Sequence, residues 1–440
     1  MTSSEKILNV AIDATGIAQG GSGGVGQALV TLVHDLARLN DGNEKYTIIA
    51  KWDEQEEWLK PHIRPVDRIV RRPASPPSTD SVSKRLAKRF VQGLRDRIVV
   101  DYRKWPEVPI SKGFYESLGC DVIHFLNQMD FVLCALPTIY NPHDLQHLHY
   151  PRFWTPSVLA LRETIYPAAC HFAQTVVVGS QWIKDDVVRQ YRISPEKIQI
   201  IPEGPPTQSA SEPTDADIER VKEKYVLGAP FAIYPAVPWE HKNHVRLLEA
   251  LALLRDTRGL VVPLVCTGSK DAYWPKVEKR IGELNLSEQV KFLGFVPDEE
   301  LRCLYRLSQF LVLPTLFEAS SLPMFEAWFE GVPVASSNAT ALPDQALDTA
   351  LFFDPLDVGA IADAIVRMAT DANLRRELIE RGRRRLQDFN RERTAKAYRA
   401  VYRRAAHFPL TEEDRVLLSW DWMRHPEKNT SFRSDDRKRA

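Results

Sequence analysis

Short apolar runs alternate with amphipathic stretches along most of the chain. Ile7 to Ile12 reads as a strand, Gly20 to Gly26 as a glycine-rich turn, and Leu29, Leu32, Val33 and Leu36 recur at helical spacing within Gln27 to Leu39. Further strand-like runs at Tyr46 to Ala50, Asp121 to Leu126, Pro137 to Tyr140 and Thr175 to Val178 are interleaved with helical patterns at Ser157 to Cys170 and Gln181 to Tyr191. Such alternation predicts a parallel sheet covered by helices on both faces.

The stretch Glu203 to Thr214 carries Pro205, Pro206 and Pro213 among Ser and Thr, the composition of a connector. Beyond it the alternation restarts, with strands expected at Phe231 to Tyr234, Val261 to Cys266, Val290 to Leu293, Phe310 to Leu313 and Val332 to Ala335. Helices are expected to start near Asn243, Tyr273, Asp298 and Pro323. The pattern predicts an α/β fold of two tandem Rossmann-like, doubly wound domains facing a cleft. They are bounded at 1–207 and 208–395, and a segment 396–440 begins as a helix returning to the first domain and ends as a disordered tail from Asn429. Ligands of such sheets sit beyond the carboxyl ends of the strands, so the βα loops are where chemistry is expected.

Two segments break the pattern: Val66 to Pro77, rich in Arg and Pro, and Lys84 to Lys104, where eight basic residues face only Asp96 and Asp101. Leu86, Phe90, Leu94 and Ile98 line one side of a helix there. The segment fits a reversible contact with an anionic membrane and fits equally well a basic helix packed on the sheet.

Composition narrows the field. The 440 residues hold 58 Lys plus Arg against 58 Asp plus Glu, so nothing attracts the whole chain to nucleic acid. No run approaches the ~18 apolar residues of a membrane span. The N-terminus lacks the look of a secretory signal, which predicts a cytoplasmic protein, with a peripheral place at the inner face of the plasma membrane if Lys84 to Lys104 binds lipid. The five cysteines are scattered through apolar runs and read as reduced core residues.

Four constellations bear on function. In Gly20-Gly21-Ser22-Gly23-Gly24-Val25-Gly26, backbone N–H groups can approach a phosphate above a helix start. A plain structural turn is the alternative, and a dinucleotide fingerprint fits poorly because several residues separate it from its strand. In Phe317-Glu318-Ala319-Ser320-Ser321-Leu322-Pro323-Met324-Phe325-Glu326, Pro323 marks a first helical turn. The amides of Ser321 and Leu322 offer partial positive charge, and Glu318 and Glu326 flank that anion site, each suited to accept hydrogen bonds from sugar hydroxyls; a solvated helix start is the alternative. Lys242 and Asn243 precede another helix, where a lysine adds charge for a diphosphate. His143, His147 and His149 follow a strand without any zinc-site spacing, so no metal is expected.

Together these stretches resemble the retaining GT-B nucleotide-sugar glycosyltransferases of family 4, over nearly the whole chain. The most specific element is the E-x7-E spacing of Glu318 and Glu326. Supporting it are GVGQALVTLV, HDLQHLHYPRFW, KIQIIPEG, YPAVPWEHKNH and VKFLGFVPDEEL, with the bacterial mannosyl- and rhamnosyltransferase-like members most similar. The resemblance implies a hexosyltransferase, mannose favoured, moving the sugar from a nucleoside diphosphate donor, with GDP-mannose the guess, to a saccharide or lipid-linked acceptor with retention.

It implies that Glu326 binds ribose hydroxyls and Glu318 the donated sugar. Lys242 neutralises the diphosphate with the Ser321 and Leu322 amides. Phe295 and Val296 hold the base edge through their backbone, His143 touches the sugar near its reacting carbon, and Gly23 and Gly24 line the phosphate and acceptor side. No cofactor or essential metal is implied. The sequence departs from the family at Ala319 and Ser320 or Ser321, where glycines are common, and at Val237, where an arginine is common; His241 or His244 would then assist Lys242. A nucleotide-sugar epimerase or hydrolase, and a catalytically silent partner of an active transferase, are the alternatives.

Overall fold

The structure, a computed structural model, describes residues 6–18, 23–73, 107–205, 212–228 and 230–424. They form two compact units. The first lies within Met1–Gly179, Ile183–Ile201 and Arg391–Trp420, and the second within Ser180–Trp182, Pro202–Asn390 and Asp421–Ala440.

The first unit is built on β1 (Leu8–Asp13), β2 (Glu44–Ala50), β3 (Arg68–Arg71), β4 (Val122–Phe125), β5 (Thr138–Tyr140), β6 (Thr175–Val178) and β7 (Ile198–Ile200). The strands are parallel, in the order β3-β2-β1-β4-β5-β6-β7. The second unit holds β8 (Ala232–Pro235), β9 (Leu264–Thr267), β10 (Val290–Phe292), β11 (Phe310–Leu313), β12 (Val334–Ser337) and β13 (Ala350–Phe353). These are also parallel, in the order β10-β9-β8-β11-β12-β13. Each sheet therefore reverses its strand order once, between β1 and β4 and between β8 and β11. At such a switch point the loops on either side diverge and leave a crevice. The inner strands β4, β6, β9, β11 and β12 are buried throughout, as a sheet covered on both faces requires.

The structure moves several boundaries. The first helix runs Gly23–Arg38, so Gly23, Gly24 and Gly26 stand in its opening turns rather than in a turn before it. The N–H groups of that first turn have no intrahelical acceptor. β3 lies inside the Arg- and Pro-rich segment Val66 to Pro77 expected to break the pattern. It is an edge strand of four residues, so the charges of Arg68 and Arg71 stay accessible while Ile69 and Val70 pair with Ile48 and Ile49. At the connector, Thr214 already caps the helix Asp215–Lys224 through a capping box with Asp217. Lys84 to Lys104 and Asn429 to Ala440 lie outside the described residues.

The C-terminal helix Arg391–Ala405 is fixed to the first unit by a buried polar relay. The Tyr402 hydroxyl is 2.9 Å from His124 Nδ1, His124 Nε2 is 2.8 Å from Asn141 Oδ1, and Asn141 Nδ2 donates to the Tyr398 hydroxyl at 3.0 Å. Burial pushes His124 down to about 4, so it stays neutral and each nitrogen has one role: Nδ1 accepts and Nε2 donates. Arg391 pairs with Asp35, Arg399 with Asp41, and Arg403 with Glu44 and Asp414. All five cysteines carry free thiols, four of them buried.

Candidate active site

The strand order gathers eight of the eleven expected residues at the carboxyl edge of the second sheet. The loop after β8 carries Lys242 and Asn243, the loop after β10 carries Phe295 and Val296, and the loop after β11 carries Glu318 and Ser321. The helix Leu322–Glu330 follows with Leu322 and Glu326. Neighbouring loops are bonded to each other: the His241 carbonyl accepts from the Leu316 amide at 2.7 Å and the Thr315 hydroxyl at 3.1 Å. Gly268, at φ +117°, donates to the Gly294 carbonyl at 2.7 Å and lies against the backbone of Ala236 and Val237, so close that a side chain there would clash.

Lys242 Nζ pairs with Glu318 Oε1 across the switch point between β8 and β11, both side chains being mostly buried. The two groups expected to grip the diphosphate and the sugar thus hold each other in this state. The segment after β12 holds the Glu318 loop from the side. The Thr340 hydroxyl accepts from the Glu318 amide at 2.9 Å and donates to the Glu318 carbonyl at 2.6 Å. Five residues on, Gln345 does the same for Ser321, accepting from its amide at 2.7 Å and donating to its carbonyl at 2.9 Å. Buried Arg385 in turn ties down the Gln345 and Asp344 carbonyls at 2.9 and 3.0 Å. Two side chains therefore grip the backbone as a paired strand would.

Three expectations are corrected. The Ser321 amide is not available to a phosphate, because Gln345 occupies it; the Leu322 amide has no acceptor among the described residues. The Asn243 side-chain amide is already engaged within the protein. Asn243 sits in the left-handed region at φ +60°, buried, and donates both amide hydrogens, to the carbonyls of Pro314 and Pro355 at 2.8 Å each. It serves to bring the loop after β8 onto those after β11 and β13. His241 and His244 add no positive charge: burial, with Lys242 next, pushes them down to about 2 and about 3.

Glu326 is half-buried one turn into its helix. Burial, with Asp298 and Glu330 adding repulsion, raises it to about 7, against the opposing hydrogen bond from the Tyr305 hydroxyl at 2.7 Å. Phe295 projects into solvent at 76% exposure, whereas the Val296 side chain is part of the core, so only its backbone is left for a ligand.

The other three expected residues belong to the first unit. Gly23 and Gly24 open the helix after β1. His143, at φ +58°, follows β5, and its Nε2 donates to the Leu126 carbonyl beyond β4 at 2.8 Å, which places it beside that sheet's own switch point. Its two histidine neighbours are packing and ion-pair residues. His147 is buried and stacked on Tyr166 with ring centroids 4.7 Å apart, and His149 meets Asp186 at 2.7 Å. Among the described residues no group of three or more His, Cys, Asp or Glu side chains converges as a metal cage, and no helix is long and apolar enough to cross a membrane.

Comparison with known proteins places this geometry. Residues 22–209 match the family described as Glycosyltransferase Family 4, and residues 215–385 match Glycosyl transferases group 1. The chain is similar to O-antigen chain mannosyltransferase B of Escherichia coli, with 28% identity over 277 residues, 59% of this chain and 69% of that protein. It is also similar to the MMP alpha-(1->4)-mannosyltransferase of Mycolicibacterium hassiacum, 30% identical over 50% of this chain and 51% of the relative, and so spans only about half of that protein. Among solved structures, sucrose-phosphate synthase from Thermosynechococcus elongatus shares the fold at a TM-score of 0.66 and 21% identity, with 90% of this chain and 98% of that one covered. WaaG, a glycosyltransferase involved in lipopolysaccharide biosynthesis, does so at 0.60 and 16%, with 89% and 99% covered. With the two family matches end to end over most of the sequence, and two Rossmann-like units of the GT-B kind beneath them, the chain belongs to glycosyltransferase family 4.

Proposed function

We propose that the protein transfers a hexose, mannose favoured, from a nucleoside diphosphate sugar to a hydroxyl of a growing glycan or lipid-linked saccharide, with retention at the anomeric carbon. The observation that carries this reading is the Lys242–Glu318 pair lying across the β8/β11 switch point, with Glu326 one turn into the helix that follows. Mannose is favoured by the two relatives described above, each a mannosyltransferase by name. GDP-mannose is accordingly the donor we favour.

On this reading the donor diphosphate displaces Glu318 from Lys242, and Glu318 turns to accept hydrogen bonds from the sugar. Glu326 accepts the ribose hydroxyls, the Leu322 amide supports the diphosphate, the backbone of Phe295 and Val296 meets the base, and His143, Gly23 and Gly24 keep the roles that the family resemblance gives them. The bond from the anomeric carbon to the β-phosphate oxygen breaks, a bond from the same carbon to the acceptor oxygen forms on the same face, and the acceptor proton passes to the departing phosphate. The barrier falls because positive charge is already in place where the leaving group's negative charge grows. Lysine and helix start supply what a metal would otherwise bring, so we expect no essential cation.

NMR of the product tests the stereochemistry: a retained anomer formed undiminished in EDTA is expected, and an inverted anomer or full dependence on added manganese would refute the scheme. The alternative of a silent sugar-nucleotide binder draws on Val237 and the neutral His241 and His244, which leave few cations at the diphosphate. Nucleotide binding without turnover across an acceptor panel would favour it.

A further inference from the structure

Glu326 has a neighbour that the reading above does not use. Tyr305, on the helix Asp298–Leu307, is almost wholly buried, and its hydroxyl lies 2.7 Å from Glu326 Oε2 and 3.2 Å from the Pro323 carbonyl. A phenol has one hydrogen and here faces two acceptors. When Glu326 is ionised, that hydrogen goes to the carboxylate. When Glu326 is protonated, the carboxyl hydrogen goes to the phenol oxygen and the phenol hydrogen turns to Pro323. The arrangement therefore satisfies either charge state, and moving between them needs only a rotation of hydroxyl hydrogens.

The charges around it leave the choice open. On the Tyr305 helix, Arg302 and Arg306 both pair with Glu330 and not with Glu326, while Asp298 adds a negative charge at the helix start. On the helix of Glu326 itself, Glu330 is the other acid, almost fully buried between the two arginines. Among the described residues no Lys or Arg forms an ion pair with Glu326, and the Tyr305 hydroxyl is its one side-chain hydrogen-bond donor. An acid in that setting is drawn towards its neutral form by burial, and a ligand that rewards its charge can tip the balance.

We infer that Tyr305 is a positioning residue for the nucleotide: it presents Glu326 as an acceptor to the ribose and keeps the carboxyl's proton satisfied when the site is empty. This rests on the assignment of Glu326 to the ribose made above. Two hydroxyls of a ribose are donors that a carboxylate oxygen pair can accept and a protonated carboxyl can accept only in part, so nucleotide binding releases a proton. With Glu326 raised to about 7 in the empty site, binding strengthens as the pH rises through that value. Removing the phenol hydrogen bond, which favours the ionised form, shifts this strengthening to higher pH.

Calorimetric titration of the full chain with GDP, with UDP and with inorganic pyrophosphate, between pH 5.5 and 8.5 and in buffers of different ionisation enthalpy, tests this. The wild type should bind its nucleoside diphosphate more tightly as the pH rises and release up to one proton. Tyr305→Phe should bind it about tenfold more weakly near pH 7, recover towards wild type at the alkaline end, and bind pyrophosphate normally, the factor being that of a lost hydrogen bond to a charged group. Glu326→Gln, which keeps the shape and cannot ionise, should retain only the pH dependence that pyrophosphate also shows, because the ligands' own phosphates titrate in this range. A Tyr305→Phe profile that superimposes on the wild type, an equal loss for pyrophosphate, or a nucleotide pH dependence in Glu326→Gln that exceeds that of pyrophosphate would each overturn the inference while leaving the transferase reading standing. Failure of the wild type to bind either nucleotide would remove both.

Discussion

The two units share one architecture and spend their polar groups differently. In the first, buried polarity serves assembly: the relay from Tyr402 through His124 and Asn141 to Tyr398, and the arginines of the helix Arg391–Ala405, join residues that are hundreds of positions apart in the chain. In the second, the core is a continuous apolar cluster, buried ion pairs such as those of Arg302 and Arg306 with Glu330 brace its helices, and the carboxyl edge of the sheet carries Lys242, Glu318 and Glu326. Polar groups that hold the fold together pair with partners far along the chain. Polar groups that await a ligand are partnered provisionally, with each other or with a hydroxyl able to serve two states.

Substitutions should separate the two kinds. Lys242→Ala removes the cation of the provisional pair and is expected to lower transfer on the order of 10²-fold with stability little changed; an initial-rate assay with donor and acceptor checks it, and near-normal turnover would discard its role. Tyr402→Phe orphans His124 Nδ1 and should cost about 1–3 kcal/mol of stability. Hydrogen exchange should show amides of Arg391–Ala405 losing protection while those of Leu322–Glu330 keep theirs, and equal loss in both would blur the contrast drawn here. The smallest effect is also the most diagnostic. Glu318→Gln should slow transfer yet tighten pyrophosphate binding roughly two- to fivefold, because Lys242 is released from an ionised partner that competes with the diphosphate. Weaker pyrophosphate binding, measured by calorimetry, would mean that the pair does not compete with the diphosphate.

Much of this was legible in the sequence because it is local. Apolar runs of four to six residues mark the strands, Pro323 marks the start of its helix, and the E-x7-E spacing places one acid in the loop and the other a turn into the helix. What the sequence hid depends on which strands become neighbours. Thr340 and Gln345 grip the Glu318 loop only because β12 lies beside β11, and Tyr305 reaches Glu326 only because two helices pack side by side; neither contact has a fixed spacing to search for. Asn243 misled for the opposite reason: its place before a helix suggests a ligand, while its amide is used up on Pro314 and Pro355, far along the chain. β3 escaped because an edge strand ending in arginines looks like a loop.

The path of the chain has a consequence for biosynthesis. The first unit is left at Ile201 and rejoined only at Arg391, so nearly all of the second is made in between. A ribosome paused near residue 390 would carry a nearly complete second unit behind a first one still missing the helix that seals its sheet. Until that helix emerges, the part of the sheet where His124 meets Tyr402 lacks its cover, and a transiently uncovered sheet is prone to misassembly.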